Sequence, residues 1–291
     1  MSILERAFGW RARTGMSVTF WGVRGSIACS GPDYVRYGGN TSCVEVEAGM
    51  HRVIFDAGTG LRPLGLKLVA QQTKTVDIFL SHTHFDHVCG WPFFAPAYDK
   101  GTRINLWSGH LHGSGLTTRS VMMRLMEAPL FPVAEDVFQA DISYRDLDAQ
   151  ATLVPAPGLT LTAAPLNHPN GATGYRLTFG SRSLVYASDH EHQGTEPLPS
   201  LLKLAQGADL LIYDATYSPE AYPAHAGWGH STWEEGLRLA IRAKVGALAL
   251  FHHEPSHTDD MLAKLENTAK RAGAKHGIKV FAAREGVTVR V

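Results

Sequence analysis

The chain predicts an α/β fold (α+β in its ordering), and its patterning suits two packed β-sheets with helices outside, αββα. Three observations point there. Short apolar or alternating runs of strand length crowd the first part of the chain, from residue 17 onward. The later part alternates such runs with helical periodicity over 197–205, 232–243 and 259–272. The two parts resemble each other in plan, with no linker-like stretch between them, and sheets with one-sided helices bury their apolar faces in layers of this kind. We therefore expect one domain over 17–291, built of halves at about 17–150 and 151–291, behind a poorly patterned leader over 1–16.

The elements follow in order. Strands are predicted at 18–23, 43–47 and 52–55, with a turn-rich loop of Ser, Gly, Pro, Asp and Asn from 30 to 40. Asp56 ends the third run ahead of Gly58 and Gly60, at a strand-to-helix turn. The spacing after Gly60 does not fit a dinucleotide-binding Gly-x-Gly-x-x-Gly, so no nucleotide cofactor is expected, and Asp56 is read as orienting a metal ligand. The run 76–81 is a buried strand. It leads directly into His82-Thr83-His84-Phe85-Asp86-His87.

That stretch dominates the chain chemically. Residues two apart on an extended segment point the same way, so His82 and His84 face one point, and Asp86 and His87 curl toward a second. Three imidazoles and a carboxylate at a strand end are costly to desolvate unless a cation gathers them. Imidazole nitrogens and carboxylate oxygens suit Zn²⁺, with Mn²⁺ or Fe as other first-row occupants. The aromatic stretch 91–98 is read as core, the alternative being that one or two of its rings line a substrate pocket. A strand follows at 103–107, and the stretch 108–138 has a helical middle at 121–126, either core or a lid. His110 and His112 read as exposed loop. Further strands are predicted at 159–166, 175–179, 183–186, 210–213 and 247–251.

Composition narrows the function. Hydrophobic residues at 44% and charged ones at 19% describe a globular protein with a sizeable core. Lys+Arg and Asp+Glu are 27 each, and this balance disfavours a large nucleic acid as partner. Cys29, Cys43 and Cys89 are scattered and form neither a disulfide framework nor a zinc ribbon. Cys29 and Cys43 are read as small buried residues, and Cys89 as packing beside the metal stretch. Neither a signal peptide nor a membrane-spanning run is evident, so the cytoplasm is the default and no membrane partner is expected.

The run His82–His87 resembles the His-x-His-x-Asp-His signature of the metallo-β-lactamase superfamily. Other stretches fit its order: Asp56 in Phe55-Asp56-Ala57-Gly58, His168 after Leu166-Asn167, Asp189 after Ala187-Ser188, and His252 after Leu250-Phe251. The resemblance covers most of the chain from Val18 onward. It supplies the four-layer αββα fold, which periodicity alone would not give. Residue by residue, it implies one ion held by His82, His84 and His168 and a second by Asp86, His87 and His252, with Asp189 bridging. His190, Glu191 and His192 follow Asp189, but Asp189 ends the strand. Of His252 and His253, which point oppositely on a strand, the pattern of apolar strand then His picks His252.

Gly229-His230-Ser231-Thr232, ahead of a helical pattern, resembles the Gly-His-Ser/Thr element of the ribonuclease Z and small-phosphodiesterase branch. The resemblance makes His230 the proton donor to the leaving group; Asp214, ending its own strand, is read as holding it, and Asp86 as orienting the nucleophile as well as ligating. A hydroxide bridging two divalent ions would be that nucleophile. The expected activity is hydrolysis of a small phosphodiester, such as a cyclic nucleotide or cyclic sugar phosphate. The alternatives are hydrolysis of a carboxylic ester, thioester or lactam at the same pair, tRNA 3′ processing, and a metal-binding module without turnover. A homodimer is compatible with the sequence.

Overall fold

A computed structural model describes residues 15–194 and 196–291, so the expected leader falls outside it except for Gly15 and for Met16, which opens the first strand. Fourteen strands form two seven-stranded sheets. The first sheet contains β1 (Met16–Gly22), β2 (Cys43–Ala48), β3 (His51–Phe55), β4 (Thr75–Leu80), β5 (Arg103–Ser108), β6 (Asp141–Asp146) and β14 (Thr288–Arg290), in the order β14-β1-β2-β3-β4-β5-β6. The second contains β7 (Thr152–Ala156), β8 (Leu159–Leu166), β9 (Ala172–Phe179), β10 (Arg182–Ala187), β11 (Leu210–Asp214), β12 (Ala247–Phe251) and β13 (Lys279–Ala282), in the order β13-β12-β11-β10-β9-β8-β7.

Each sheet is antiparallel along one flank and parallel along the other. In the first, β3, β4, β5 and β6 run parallel. In the second, β10, β11, β12 and β13 do. Parallel neighbours end together at one rim, and that rim is where residues following the strands can converge. Strands β1–β6 lie in the first sheet and β7–β13 in the second, so chain order and sheet order agree up to the last strand. There β14 leaves the second half and pairs antiparallel with β1.

The inner faces of the sheets bury a ring-rich core: Phe55 stacks on Tyr186 at 5.1 Å, and Phe79 on Trp107 at 5.6 Å. Outside the first sheet lie α1 (Leu61–Ala70), the single turn α2 (Phe85–Val88) and α3 (Thr118–Leu125). Outside the second lie α4 (Pro199–Ala205), α5 (Trp233–Ala243) and α6 (Asp259–Ala274). Separate apolar clusters under each helix layer complete the αββα sandwich. Thr117 caps α3 through the Ser120 N–H, Thr232 caps α5 and Thr258 caps α6.

Several local expectations change. The stretch 91–98 forms two 3₁₀ turns that bury Trp91 and Phe94 and expose Phe93 and Tyr98. None of these rings lines the cavity beside His82 and His84. The short strands β6, β7, β13 and β14 lack a strong apolar alternation and were not expected. Cys29 is only half-buried, unlike Cys43. Among the described residues, no helix is long and apolar enough to cross a membrane.

Candidate metal centre

Five imidazoles and two carboxylates converge at the common rim of the parallel strands. His82 and His84 follow β4, and Asp86 and His87 lie in α2. His168 follows β8, Asp189 follows β10, and His252 follows β12. His82, His84 and His168 place donor atoms within 4.8 Å of one another, as do His82, His87 and Asp189, and Asp86, His87 and His252. Three strand-end residues turn sharply to reach the rim: Asp56, Asp189 and His252 have φ of 61°, 57° and 58°. A non-glycine residue holds this left-handed conformation at a cost of about 1–3 kcal/mol, and such strain gathers at functional sites.

The hydrogen bonds around the imidazoles decide their chemistry. His87 Nδ1 donates to Asp56 Oδ2 at 2.8 Å, His168 Nδ1 to the Gly229 carbonyl at 2.8 Å, and His84 Nε2 to Asn170 Oδ1 at 3.3 Å. The Ser81 hydroxyl donates to Asp56 Oδ2, so it accepts from His82 Nδ1 at 3.0 Å. The Thr216 hydroxyl donates to Asp214 Oδ1 and in the same way accepts from His252 Nδ1 at 3.0 Å. Every outer nitrogen thus carries the proton, and every inner nitrogen presents a lone pair.

Those lone pairs face one another and the carboxylates. His84 Nδ1 and His168 Nε2 are 3.1 Å apart. His87 Nε2 lies 3.1 Å from Asp189 Oδ2 and 3.2 Å from Asp86 Oδ2, and His252 Nε2 is 3.3 Å from each of the same two oxygens. The buried Nε2 atoms of His82 and His87 have no hydrogen bond. Lone pairs packed against lone pairs and anions repel unless a cation lies among them, so the residues fit divalent ions. A proton on His87 answers the same demand for positive charge that a divalent ion would meet. Burial disfavours charge on both rings, yet the anions Asp189, Asp86 and Asp56 push His87 well up, while His82, beside His87, is driven well down. Burial works against charge on Asp86 and Asp189 too, but the surrounding imidazoles hold both carboxylates below the usual range.

The neighbouring histidines and Glu191 do other work. His190 turns away and accepts the Asn167 N–H at 3.2 Å, and His192 meets Ser231 Oγ at 2.9 Å. His253 donates to the Ala283 carbonyl at 2.9 Å. Glu191 accepts the Gly227 N–H at 2.6 Å, the Gly229 N–H at 2.8 Å and the Tyr222 hydroxyl at 3.0 Å. It therefore pins the loop whose Gly229 carbonyl orients His168. Gly229 has φ of 89°, and a Cβ there would sit 2.2 Å from His168 Nδ1. Cys89 stands 3.8 Å from the Thr41 hydroxyl, behind the cluster.

His230 lies beside the donors. Its Nδ1 is 2.8 Å from Asp214 Oδ2, and its ring stacks on His252 at 4.8 Å. Burial disfavours the imidazolium, but the Asp214 carboxylate outweighs this and raises the pKa to about 9. Asp214 is itself fixed by the Thr216 N–H and hydroxyl. Contrary to the exposed-loop reading, His110 is half-buried: it bonds Thr83 Oγ1 at 3.0 Å, and its ring lies 6.4 Å from His82. Burial pushes it down to about 4. His112 is exposed, 3.3 Å from Asp148.

Sequence reasoning did not find Ser26, Ser81, Thr216, Tyr186 or Asn170 as supports. Ser26, at φ of 61°, donates its N–H to Asp86 Oδ2 at 2.8 Å, and the Tyr186 hydroxyl donates to Asp56 at 2.6 Å. Ser81 and Asn170 adjoin ligand motifs, which was the only sequence signal available for any of them.

Residues 51–253 match the family model described as beta-lactamase superfamily domain. A ribonuclease Z of Natronomonas pharaonis is 26% identical over 95% of this chain and 98% of its own. The metallo-beta-lactamase fold protein YhfI of Bacillus subtilis superposes with a TM-score of 0.70 at 21% identity, covering 95% of this chain and 100% of that one. A diphosphatase from the PhnP family superposes with a TM-score of 0.63 at 17% identity, over 94% and 97%. With the matched region spanning well over half of its length and the donors gathered at the sheet rim, the chain belongs to the metallo-β-lactamase superfamily.

Proposed function

We propose that this metal-dependent hydrolase is a phosphodiesterase that binds two divalent ions, zinc foremost, and cleaves a small phosphodiester. The His230–Asp214 pair beside the donor cluster carries this reading. Hydrolysis of a diester expels an alkoxide, which needs a proton that the leaving group of a thioester does not need. Relatives named for a ribonuclease and a diphosphatase also favour phosphorus over carbonyl carbon as the centre attacked.

His82, His84 and His168 would hold one ion, and Asp86, His87 and His252 the other. Asp189 suits the place between them: Oδ1 is 3.8 Å from His82 Nε2 and from His168 Nε2, and Oδ2 faces His87 and His252. Bound there, divalent ions would lower the pKa of water and offset charge developing on the phosphoryl oxygens. Asp86 directs Oδ2 toward the imidazoles and keeps Oδ1 as the acceptor that orients the attacking water. His230, protonated and held at Nδ1 by Asp214, presents its Nε2–H to the leaving oxygen. Asp214 remains a carboxylate throughout and stabilises the imidazolium.

The relatives named ribonuclease Z favour a second reading, tRNA 3′ processing. The equal counts of basic and acidic residues weigh against it, because a grip on a long phosphate backbone needs a surplus of Lys and Arg. Metal-reconstituted protein should hydrolyse bis-p-nitrophenyl phosphate and one or more cyclic nucleotides faster than it trims a tRNA precursor. Turnover of a thioester or lactam without turnover of any diester would overturn the assignment.

A further inference from the structure

A cleft of about 540 Å³ opens beside His82 and His84, on a side of the centre that excludes His230, His252 and Asp86. This is room for a nucleoside-sized group rather than a folded macromolecule. One wall is apolar, formed by Leu111, Leu116 and Val121. Ser114 and Asn170 add polar edges, and no carboxylate lines the space. Its cation is Arg124, and among the described residues no carboxylate lies within 4.0 Å of that guanidinium.

The element that presents Arg124 is firmly seated. Met122 and Met126 are buried in the core under the first sheet, so Val121 and Arg124 face the cleft from the other side of α3. At its start, Thr118 bonds Asp146 through both its N–H and its hydroxyl, each at 2.7 Å. Asn170 ties the cleft to the metal centre by holding His84 at 3.3 Å. An exposed arginine on an anchored helix, without an anionic partner among the described residues, at the end of an apolar wall and next to the imidazole cluster, is arranged to receive an oxyanion.

We propose that this cleft holds the arm of the substrate that stays on phosphorus, and that this arm is a compact ring-bearing group ending in a second phosphate paired with Arg124. The assignment rests on the phosphodiesterase reading for its direction: with the leaving oxygen at His230, the retained arm extends toward Leu111 and Arg124. The substrate class is then a nucleotide-sized diester with an additional phosphate, not a simple dialkyl phosphate.

The test compares two chromogenic esters that share a leaving group, the p-nitrophenyl ester of thymidine 5′-phosphate and its 3′-phosphorylated counterpart. The native protein should prefer the latter by about tenfold or more in kcat/KM, the size expected of a charge-assisted contact. In Arg124→Gln that ratio should fall to about one, and Leu116→Glu, which places a like charge in the cleft, should invert it. The ratio is the readout, so a poorly folded variant lowers both rates together and leaves it unchanged. Calorimetric binding of thymidine 3′,5′-bisphosphate and thymidine 5′-phosphate gives the same comparison without turnover. A native protein indifferent to the second phosphate, or a preference that survives Arg124→Gln in both assays, overturns the cleft assignment. So does a single-stranded oligoribonucleotide cleaved faster than either ester regardless of Arg124. Failure to cleave any diester, alongside an Arg124-dependent preference in binding, would reject the phosphodiesterase reading and keep the cleft only as a site for a phosphate-bearing ring.

Discussion

His84 Nδ1 and His168 Nε2 face each other across 3.1 Å, both as lone pairs, because Asn170 and the Gly229 carbonyl occupy the opposite nitrogens. Such a contact stores repulsion that a cation removes. Zinc should therefore raise the melting temperature. Binding at about 100 times its dissociation constant corresponds to roughly 2.7 kcal/mol per site. Thermal melts with EDTA and then with added Zn²⁺ measure this, and coincident melts would reject the centre.

Removing His230 or its support should affect only substrates that need an acid. In His230→Ala, hydrolysis of a phosphodiester with an alkoxide leaving group should fall by about 10²–10⁴-fold, while diesters with a p-nitrophenolate leaving group change little. Asp214→Asn should follow the same pattern, since Oδ2 alone holds His230 Nδ1 at 2.8 Å. Metal content should stay at the native value in His230→Ala. Equal losses on both leaving groups would show that His230 acts otherwise.

Glu191 is a positioning residue in this scheme. Its carboxylate gathers the N–H groups of Gly227 and Gly229 and the Tyr222 hydroxyl. Glu191→Gln puts an amide donor against backbone donors. It should loosen the loop that carries His230, and we expect about a tenfold loss confined to poor leaving groups. A uniform drop across leaving groups would mean that Glu191 only stabilises the fold.

A pH effect is expected far from the metals. Burial opposes ionisation of Glu266, but Lys270, the Tyr37 hydroxyl, Arg284 at 2.6 Å and the Ala282 N–H bring its pKa down to about 2. A depressed pKa stabilises the fold above the unfolded value near 4.5 and loses that contribution as pH falls toward 2. The contribution should be about 1–2 kcal/mol, because the partly exposed cations Lys270 and Arg284 are screened. Urea titrations at pH 6 and pH 3 should show native stability falling more than that of Glu266→Gln. Parallel losses would exclude this source.

Which parts of the site were legible follows from how local each signal is. His82, His84, Asp86 and His87 sit within six residues directly after an apolar run, so they were legible as one local motif, although Asp86 and His87 reach the centre from the turn of α2. His168, Asp189 and His252 are isolated in the chain and were legible only through the order of motifs around them. For His190 and His253, neighbours of ligands, composition says nothing. Their backbones turn them to Asn167 and to the Ala283 carbonyl.

The sequence carried the strands that end at the rim and the local run 82–87, because apolar periodicity and short motifs are properties of neighbouring residues, while the layered fold and the other candidate donors were legible only through the resemblance in the order of motifs. Only the tertiary structure decided which nitrogen of each imidazole faces inward, that Glu191 holds the loop before His230, and that Arg124 borders the same centre. Several of those relations join residues far apart in the chain, 38 positions from Glu191 to Gly229 and 61 from His168 to Gly229. They exist only once both sheets are packed, since no local pattern encodes what a side chain will meet across a core.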